Sequence, residues 1–449
     1  MLKCTSTRTR RPVRTANASL MPTTAAADFL IFSQYDTLLS CCTFHLTTTM
    51  TESSYSIGVS SLLSKHPNPI PEGQKPDHWV DKDGRSFVNP WKSWVPHKFT
   101  EQMRFLPTTL QFPSPPKDIA QRLPIRQPTW GNEGKSQTEG GNNKLKATWL
   151  GHACFLVEFP RRNLAEDDRG VRVLFDPVFS DRCSPSQWIG PKRFTPPPCK
   201  IEDIPEIDAV VISHNHYDHL DTHTIKTLLK RSKHVPHFFA PLGNGAYFKS
   251  IGVPESNTHI MDWWDSKRVE VRRGGVDDST ARVVEITCTP GQHFTGRTII
   301  DNFKSLWAGW VAEEVLPEGP SERAPLKVYF AGDTAYRTVL DGQDEDNVPV
   351  CPAFEMVGNT FGGFDCAFIP IGAYLPRNFM SRIHCAPQDS VRLFKDVKAK
   401  RALGMHWGTW ILTSEDVLDP PKRLAEECKK IGIDEDAFTV CDIGETVLF

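Results

Sequence analysis

The run His214-Asn215-His216-Tyr217-Asp218-His219 places four ligand-capable side chains within six residues. Imidazole nitrogen and carboxylate oxygen are good donors to zinc. Four donors this close cannot readily converge on one ion with acceptable bite angles. Two neighbouring ions solve that geometry, with His214 and His216 on one and Asp218 and His219 on the other. Each ion then needs donors from elsewhere, and three stand in comparable positions. His293 follows Cys288-Thr289-Pro290-Gly291-Gln292, Asp333 follows Tyr329-Phe330-Ala331-Gly332, and His406 follows Ala402-Leu403-Gly404-Met405. Five His and two Asp suffice for two zinc ions and a shared water, and a carboxylate such as Asp333 can bridge the pair. Such a pair acidifies water to hydroxide near neutral pH and offsets charge gathering on a reacting oxygen, so the chemistry expected is hydrolysis. Asp218 and Asp333 then serve catalysis as well as metal binding.

Two more residues are candidates beside the ions. Asp176 ends Val173-Leu174-Phe175 and precedes Pro177. There it can accept the free N–H of a ligating His and fix its tautomer; the alternative is an ordinary turn carboxylate. His384 stands just before Ala386-Pro387, at a helix entry. It can give a proton or a hydrogen bond to substrate; the alternative is a surface histidine.

The donors need rigid elements to hold them, and the apolar pattern supplies these. Short apolar runs at 153–159, 171–175, 209–212, 283–287, 328–331, 366–369 and 446–449 read as buried strands. Ile225, Leu228 and Leu229 share a helical face after Asp221, an expected N-cap. Pro387 opens a helix carrying Val391, Phe394 and Val397, and another carrying Leu424, Cys428 and Ile431 stops at Gly432. Strands interspersed with helices imply an α/β sandwich of sheets with helices outside. The site then lies at strand carboxyl ends, where open α/β sheets carry theirs.

Upstream, the chain divides differently. Residues 1–70 are polar and Ser/Thr-rich and read as a disordered or targeting segment. Arg8, Arg10, Arg11 and Arg14 precede the first acid, Asp28, as in a mitochondrial transit peptide; the alternatives are a disordered tail, or translation read upstream of a true start at Met50. Residues 71–144 form a Pro/Trp-rich extended arm and a Gly/Asn/Lys linker, with too many prolines for a long helix or central strand. Residues 145–449 make the domain that holds the donors. A formal net charge of −2 argues against bulk nucleic-acid binding. Twelve scattered cysteines with no C-x-x-C pair read as thiols of a reducing compartment. No stretch approaches the roughly 20 unbroken apolar residues of a spanning helix.

The order His-x-His-x-Asp-His, then His, Asp and His, resembles the metallo-β-lactamase superfamily, which implies an αββα sandwich over residues 145–449. Trp149-Leu150-Gly151-His152-Ala153, Phe175-Asp176-Pro177-Val178-Phe179-Ser180, Gly190-Pro191-Lys192-Arg193-Phe194, Phe330-Ala331-Gly332-Asp333-Thr334, Ile371-Gly372-Ala373-Tyr374 and His406-Trp407-Gly408-Thr409 are similar to the family of N-acylphosphatidylethanolamine-hydrolysing phospholipases D. Phe87-Val88-Asn89-Pro90-Trp91 extends the resemblance to about residues 75–449. It implies one zinc on His214, His216 and His293, another on Asp218, His219 and His406, and Asp333 between them. Asp176 and His384 fall where the family keeps active-site residues. It also implies a membrane phospholipid substrate, cleaved to an N-acylethanolamine and phosphatidic acid by an intracellular enzyme peripheral to its membrane, and a homodimer. Phe87, Trp91, Trp94 and Trp188 could line an apolar approach, with Lys192 and Arg193 near the phosphates; the alternative is that these aromatics only pack the arm to the core. The sequence departs from the family at Ala335, where Gly is usual, and at 311–325 and 338–361, which look like additions; the second carries Asp341, Asp344, Glu345 and Asp346. Two other readings stay open: a hydrolase of this fold for a soluble lactone, thioester or phosphodiester, and a metal-holding interaction protein without turnover.

Overall fold

Fifteen strands carry the described fold: β1 (Tyr55–Ser61), β2 (Lys146–Trp149), β3 (Phe155–Glu158), β4 (Arg172–Phe175), β5 (Ala209–Val211), β6 (His237–Pro241), β7 (Thr258–Met261), β8 (Ser266–Arg273), β9 (Arg282–Thr289), β10 (Gly309–Val315), β11 (Lys327–Phe330), β12 (Phe364–Pro370), β13 (Ala399–Met405), β14 (Phe438–Thr439) and β15 (Thr446–Leu448). They form two sheets, one in the order β1-β8-β9-β10-β11-β12-β13-β14 and the other β15-β2-β3-β4-β5-β6-β7. The structure is a computed structural model. It describes residues 55–449 except 72, 99–100, 102–112, 133–142, 162–168, 275–280, 299, 318 and 320–322. Residues 52–449 form a single compact unit.

The sheets stack face to face. Phe155 of β3 lies on Phe368 of β12 with ring centroids 4.0 Å apart, and Phe175 of β4 on Phe330 of β11 at 4.8 Å. In each strand the pleat sends alternate residues to opposite faces. Val173 and Phe175 enter the core between the sheets, while Leu174 turns outward to join Ile225, Leu228 and Phe248 under the helices Thr222–Arg231 and Gly245–Ile251. Strands β4 to β7 are parallel and covered on both faces, which is why Ala209-Val210-Val211 is apolar without alternation. The helices Ala353–Phe361, Pro387–Asp396 and Asp419–Lys430 sit by β12, β13 and β14 of the other sheet. The architecture is the expected αββα sandwich.

Two expectations need correction. The segment 1–70 lies outside the described residues as far as residue 54, but its end is ordered: β1 pairs antiparallel with β8 from Tyr55↔Arg273 to Ser61↔Lys267. Both strands alternate polar and apolar residues, with Tyr55, Ile57 and Val59 of β1 and Val269 and Val271 of β8 facing the core, so neither produces an apolar run. The stretch 311–325 begins inside β10, which lies between β9 and β11 and belongs to the sheet.

The arm reaches the core through its aromatics. Phe87 is buried, and Trp91 and His78 both stack on Trp263, at 5.4 and 4.1 Å. Most of the linker falls outside the described residues.

Asp221 caps the helix Thr222–Arg231 and ties it to the turn that follows Asp176. Its carboxylate accepts from His223 N (3.1 Å), Ser180 N (3.0 Å), Ser180 Oγ (2.9 Å) and Thr224 Oγ1 (2.6 Å). Loss of an N-cap costs about 1 kcal/mol, and each buried donor left unpaired adds about 1–3 kcal/mol. Asp221→Ala is expected to lower stability by about 3 kcal/mol in urea unfolding; an unchanged midpoint would refute this bracing role.

Candidate metal centre

The site forms where strands of both sheets end. Asp176 follows β4, His214 follows β5 after Ile212 and Ser213, His293 follows β9, Asp333 follows β11, and His406 follows β13 directly. Gly332 makes the approach of the two sheets possible. It has φ +61°, and a Cβ there would lie 2.8 Å from both Ala308 O and Ser213 Cβ. Asp176, His152 and His406 also have positive φ, at 39°, 51° and 62°. That conformation is uncommon for residues other than glycine and clusters at functional sites.

All seven expected ligands come together. His214 Nε2 lies 2.8 Å from His216 Nδ1, and His293 Nε2 lies 3.4 Å from the same atom. Opposite them, Asp218 Oδ2 is 3.5 Å from both His219 Nε2 and His406 Nε2. Asp333 Oδ2 sits between the groups, 3.1 Å from His219 Nε2 and 3.0 Å from His406 Nε2, and 3.9 and 3.8 Å from Nε2 of His214 and His293.

The outer nitrogens settle which inner atoms are bare. His219 Nδ1–H donates to Asp176 Oδ2 at 2.7 Å, and His293 Nδ1–H to Ile383 O at 2.7 Å. Ser213 Oγ donates to Asp176 Oδ2 at 2.5 Å and so accepts from His214 Nδ1–H at 2.9 Å. Asp176 therefore occupies the tautomer-fixing position expected of it, and it reaches His214 as well through Ser213. Each of these imidazoles turns an Nε2 lone pair inward. His216 Nδ1 can meet these lone pairs as an N–H donor in the metal-free site, or turn its own lone pair to join them around a cation. His219 Nε2, His406 Nε2 and Asp333 Oδ1 are buried with no hydrogen-bond partner.

The electrostatics have the same sense. Burial opposes charge throughout the site, yet His219 is held well above the ordinary imidazole range by Asp333 and Asp218, and His406 is raised to about 9 by Asp333 and Asp218. Asp218 and Asp333 are depressed well below the carboxylate range against their burial, chiefly by His219. Burial keeps His214 neutral far below its usual range, His216 to about 4 and His293 to about 3. The two carboxylates thus draw positive charge into the site, taking it from His219 and His406 while His214, His216 and His293 stay neutral; a divalent metal would supply that charge instead, and the nitrogen and oxygen donors suit one.

His384 is drawn into the same cluster. Its Nε2 is 3.9 Å from Asp333 Oδ2, its ring centre is 5.1 Å from that of His293, and its Nδ1 has no partner. Ala373, Met380, Ile383, Phe294 and Phe379 form a small apolar cluster alongside.

Two site residues were not singled out from sequence. His152 Nε2 donates to Asp218 Oδ2 at 3.1 Å, and its backbone is pinned by Thr409 Oγ1 at 2.8 Å and by His406 N at 3.1 Å. The two motifs around Trp149 and His406 thus brace each other, with Trp149 stacked on Trp407. Asn89, from the arm, brackets the backbone of His293: its Nδ2 donates to His293 O at 2.8 Å and its Oδ1 accepts from His293 N at 3.2 Å. The signal for both was a motif position rather than a ligand spacing.

The expected approach residues divide. Phe87 and Trp91 pack the arm as described. Trp94 meets Phe303 edge-on, and Arg193 is buried over Trp410 with its Nη2 on Val178 O, so it is structural rather than a free phosphate contact. Lys192 is exposed, 3.8 Å from Asp181. Trp188 is 89% exposed and Ile189 70%.

A two-sheet sandwich with a His/Asp cluster at its strand ends defines a metal-dependent hydrolase of the beta-lactamase superfamily, and residues 171–407 match the beta-lactamase superfamily domain. Over 337 residues the chain is 35% identical to N-acyl-phosphatidylethanolamine-hydrolyzing phospholipase D 1 of Caenorhabditis elegans, covering 74% of this chain and 82% of the worm protein. It is 28% identical over 364 residues to a Saccharomyces cerevisiae protein of the same designation, termed mitochondrial, covering 74% of this chain and 68% of that one. The chain belongs to the family of N-acyl-phosphatidylethanolamine-hydrolyzing phospholipases D. Among solved structures, a metallo hydrolase from Ignicoccus hospitalis is similar at 19% identity and a TM-score of 0.40, over 68% of this chain and 98% of that one.

Proposed function

We propose that this chain is a zinc-dependent phosphodiesterase that hydrolyses N-acylphosphatidylethanolamine to an N-acylethanolamine and phosphatidic acid. The observation that carries the reading is Asp333 Oδ2, set between two groups of inward-facing donors in a chain of this family. His214, His216 and His293 would hold one zinc, Asp218, His219 and His406 a second, and Asp333 both. When bound, the pair supplies Lewis-acid charge and an acidified water.

The chain's own groups do the rest. Asp176 fixes the tautomers of His214 and His219, and His152 holds Asp218. His384 faces the same centre and is placed to hydrogen-bond the phosphoryl group or to pass a proton to the leaving ethanolamine oxygen. Phe294, Met380 and Ile383 beside it exclude water and offer contact to acyl carbon. Zinc-loaded protein incubated with N-acylphosphatidylethanolamine vesicles should yield both products by mass spectrometry. Turnover only of soluble lactones or phosphodiesters would overturn the lipid assignment.

A lipid substrate calls for peripheral attachment to an intracellular membrane, and the exposed pair Trp188-Ile189, with Ile300 at 84% exposure, supports it. No described helix is long and apolar enough to cross a membrane. Burying a large apolar side chain contributes about 1.5–3 kcal/mol, so Trp188→Ala with Ile189→Ser should weaken vesicle binding by about 100-fold in flotation while leaving soluble phosphodiester turnover intact. Wild-type flotation of the double variant would refute this attachment. Assembly as a homodimer, part of the same proposal, is read by sedimentation.

A further inference from the structure

The acidic stretch at 341–346 is bonded into the loops of the site. Asp344 caps the short turn Glu345–Asn347 through Asp346 N, and Glu345 turns inward. Its Oε1 accepts from Arg377 Nε at 3.2 Å, its Oε2 accepts from Arg377 Nη2 and Arg337 Nη2 at 3.1 Å each, and its carbonyl accepts from Arg337 Nη1. The same two guanidinium groups grip Asp389, which is fully buried: Arg337 Nε lies 2.8 Å from Oδ1 and Arg377 Nη1 2.6 Å from Oδ2.

Arg337 and Arg377 belong to different segments of the site. Arg337 follows the turn that carries Asp333, and Arg377 opens the stretch that leads to His384. Further bonds run between these segments. Cys385 N donates to Thr334 O at 2.8 Å, Val339 N to Ser381 Oγ at 2.9 Å, and Asn378 Nδ2 to Asp341 Oδ2 at 2.7 Å. The charges balance only with Glu345 in place: two arginines against two carboxylates. Asp346 adds a rim contact to Arg337 at 3.7 Å but is mostly exposed. Without the Glu345 charge, two guanidinium groups share one buried carboxylate, and the surplus positive charge must be hydrated.

We propose that Glu345 is a positioning residue for His384, latching residues 377–385 onto the Asp333 turn by bridging Arg337 and Arg377. The role assigned to His384 rests on the hydrolase reading above, so the test has one arm that needs no turnover. In hydrogen exchange, Glu345→Gln should speed exchange of the amides in 378–386 by about 10-fold or more, including His384 N–H on Met380 O and Cys385 N–H on Thr334 O, with β12 unchanged. Unchanged exchange there overturns the latch.

The second arm uses zinc-loaded protein and bis(4-nitrophenyl) phosphate, so a wrong lipid assignment does not affect it. Glu345→Gln should lower kcat by about 10-fold or more with KM and metal content held, and should cost nothing further in a His384→Ala background. Multiplied losses in that background, or a parallel loss of metal, overturn action through His384. Arg377→Lys, which keeps the charge but not the fork, carries the same expectations if Glu345→Gln does not fold.

Discussion

Replacing Asp333 with Asn is expected to lower turnover by about a thousand-fold or more, beyond the roughly 10- to 100-fold typical of groups that only orient a ligand. A single oxygen of Asp333 reaches both donor groups, 3.1 Å from His219 Nε2 and 3.0 Å from His406 Nε2 on one side, and 3.9 Å from His214 Nε2 and 3.8 Å from His293 Nε2 on the other. The amide is nearly the same shape, so Gly332 and the turn behind it are undisturbed. What changes is charge and lone pairs. Asn has one acceptor oxygen and no negative charge, and its NH₂ directs hydrogens at imidazole nitrogens or at a cation. Bound metal, measured by mass-spectrometric elemental analysis after dialysis, should fall by at least one equivalent per chain. Circular dichroism should not change. A variant with full metal and full activity would remove Asp333 from the bridging position.

The legibility of this site in the sequence follows from how it is built. Each of His214, His293, Asp333 and His406 stands just past a strand end, so an apolar run announces the place and the polar residue after it is conspicuous. The same pattern exposes Asp176. His152 gives no such signal, because its position depends on a left-handed turn at residues 151–152 and on Thr409, which is distant in sequence. Asn89 is legible only as a motif position: its partners are the backbone atoms of His293, and backbone partners leave no trace in residue types.

The aromatics of the arm show the opposite limit. Phe87, Trp91 and Trp188 are equally apolar on paper, yet the first two are covered by the core and the third is almost wholly exposed. What separates them is the partner, Trp263 for Trp91, and pairing across such distances is a property of the fold. Strands β1 and β8 were hard to see for a related reason. Half of each faces solvent, so their charged and polar residues hide the two or three positions that pack.

Asp176→Asn should weaken metal binding in both halves of the centre, although Asp176 faces no cation itself. Its Oδ1 accepts from Ser213 N at 2.7 Å, and its Oδ2 accepts from both Ser213 Oγ and His219 Nδ1. In the amide, the oxygen that remains toward Ser213 N leaves NH₂ pointing at the other two. His219 must then present a lone pair at Nδ1 and carry its hydrogen on Nε2, aimed into the site. Ser213 Oγ, now receiving from the amide, donates to His214 Nδ1 and moves that ring's hydrogen to Nε2 too. One substitution thus inverts a histidine in each donor group, His214 in one and His219 in the other. Zinc affinity by chelator competition should drop by about 10- to 100-fold, with ring-nitrogen NMR of the metal-free protein reporting the tautomer change at both histidines. Stability should fall as well, because Asp176 is fully buried and every rearranged bond is internal. Wild-type zinc affinity in Asp176→Asn would mean that the rings are held by their packing alone and that the carboxylate does not select their tautomers.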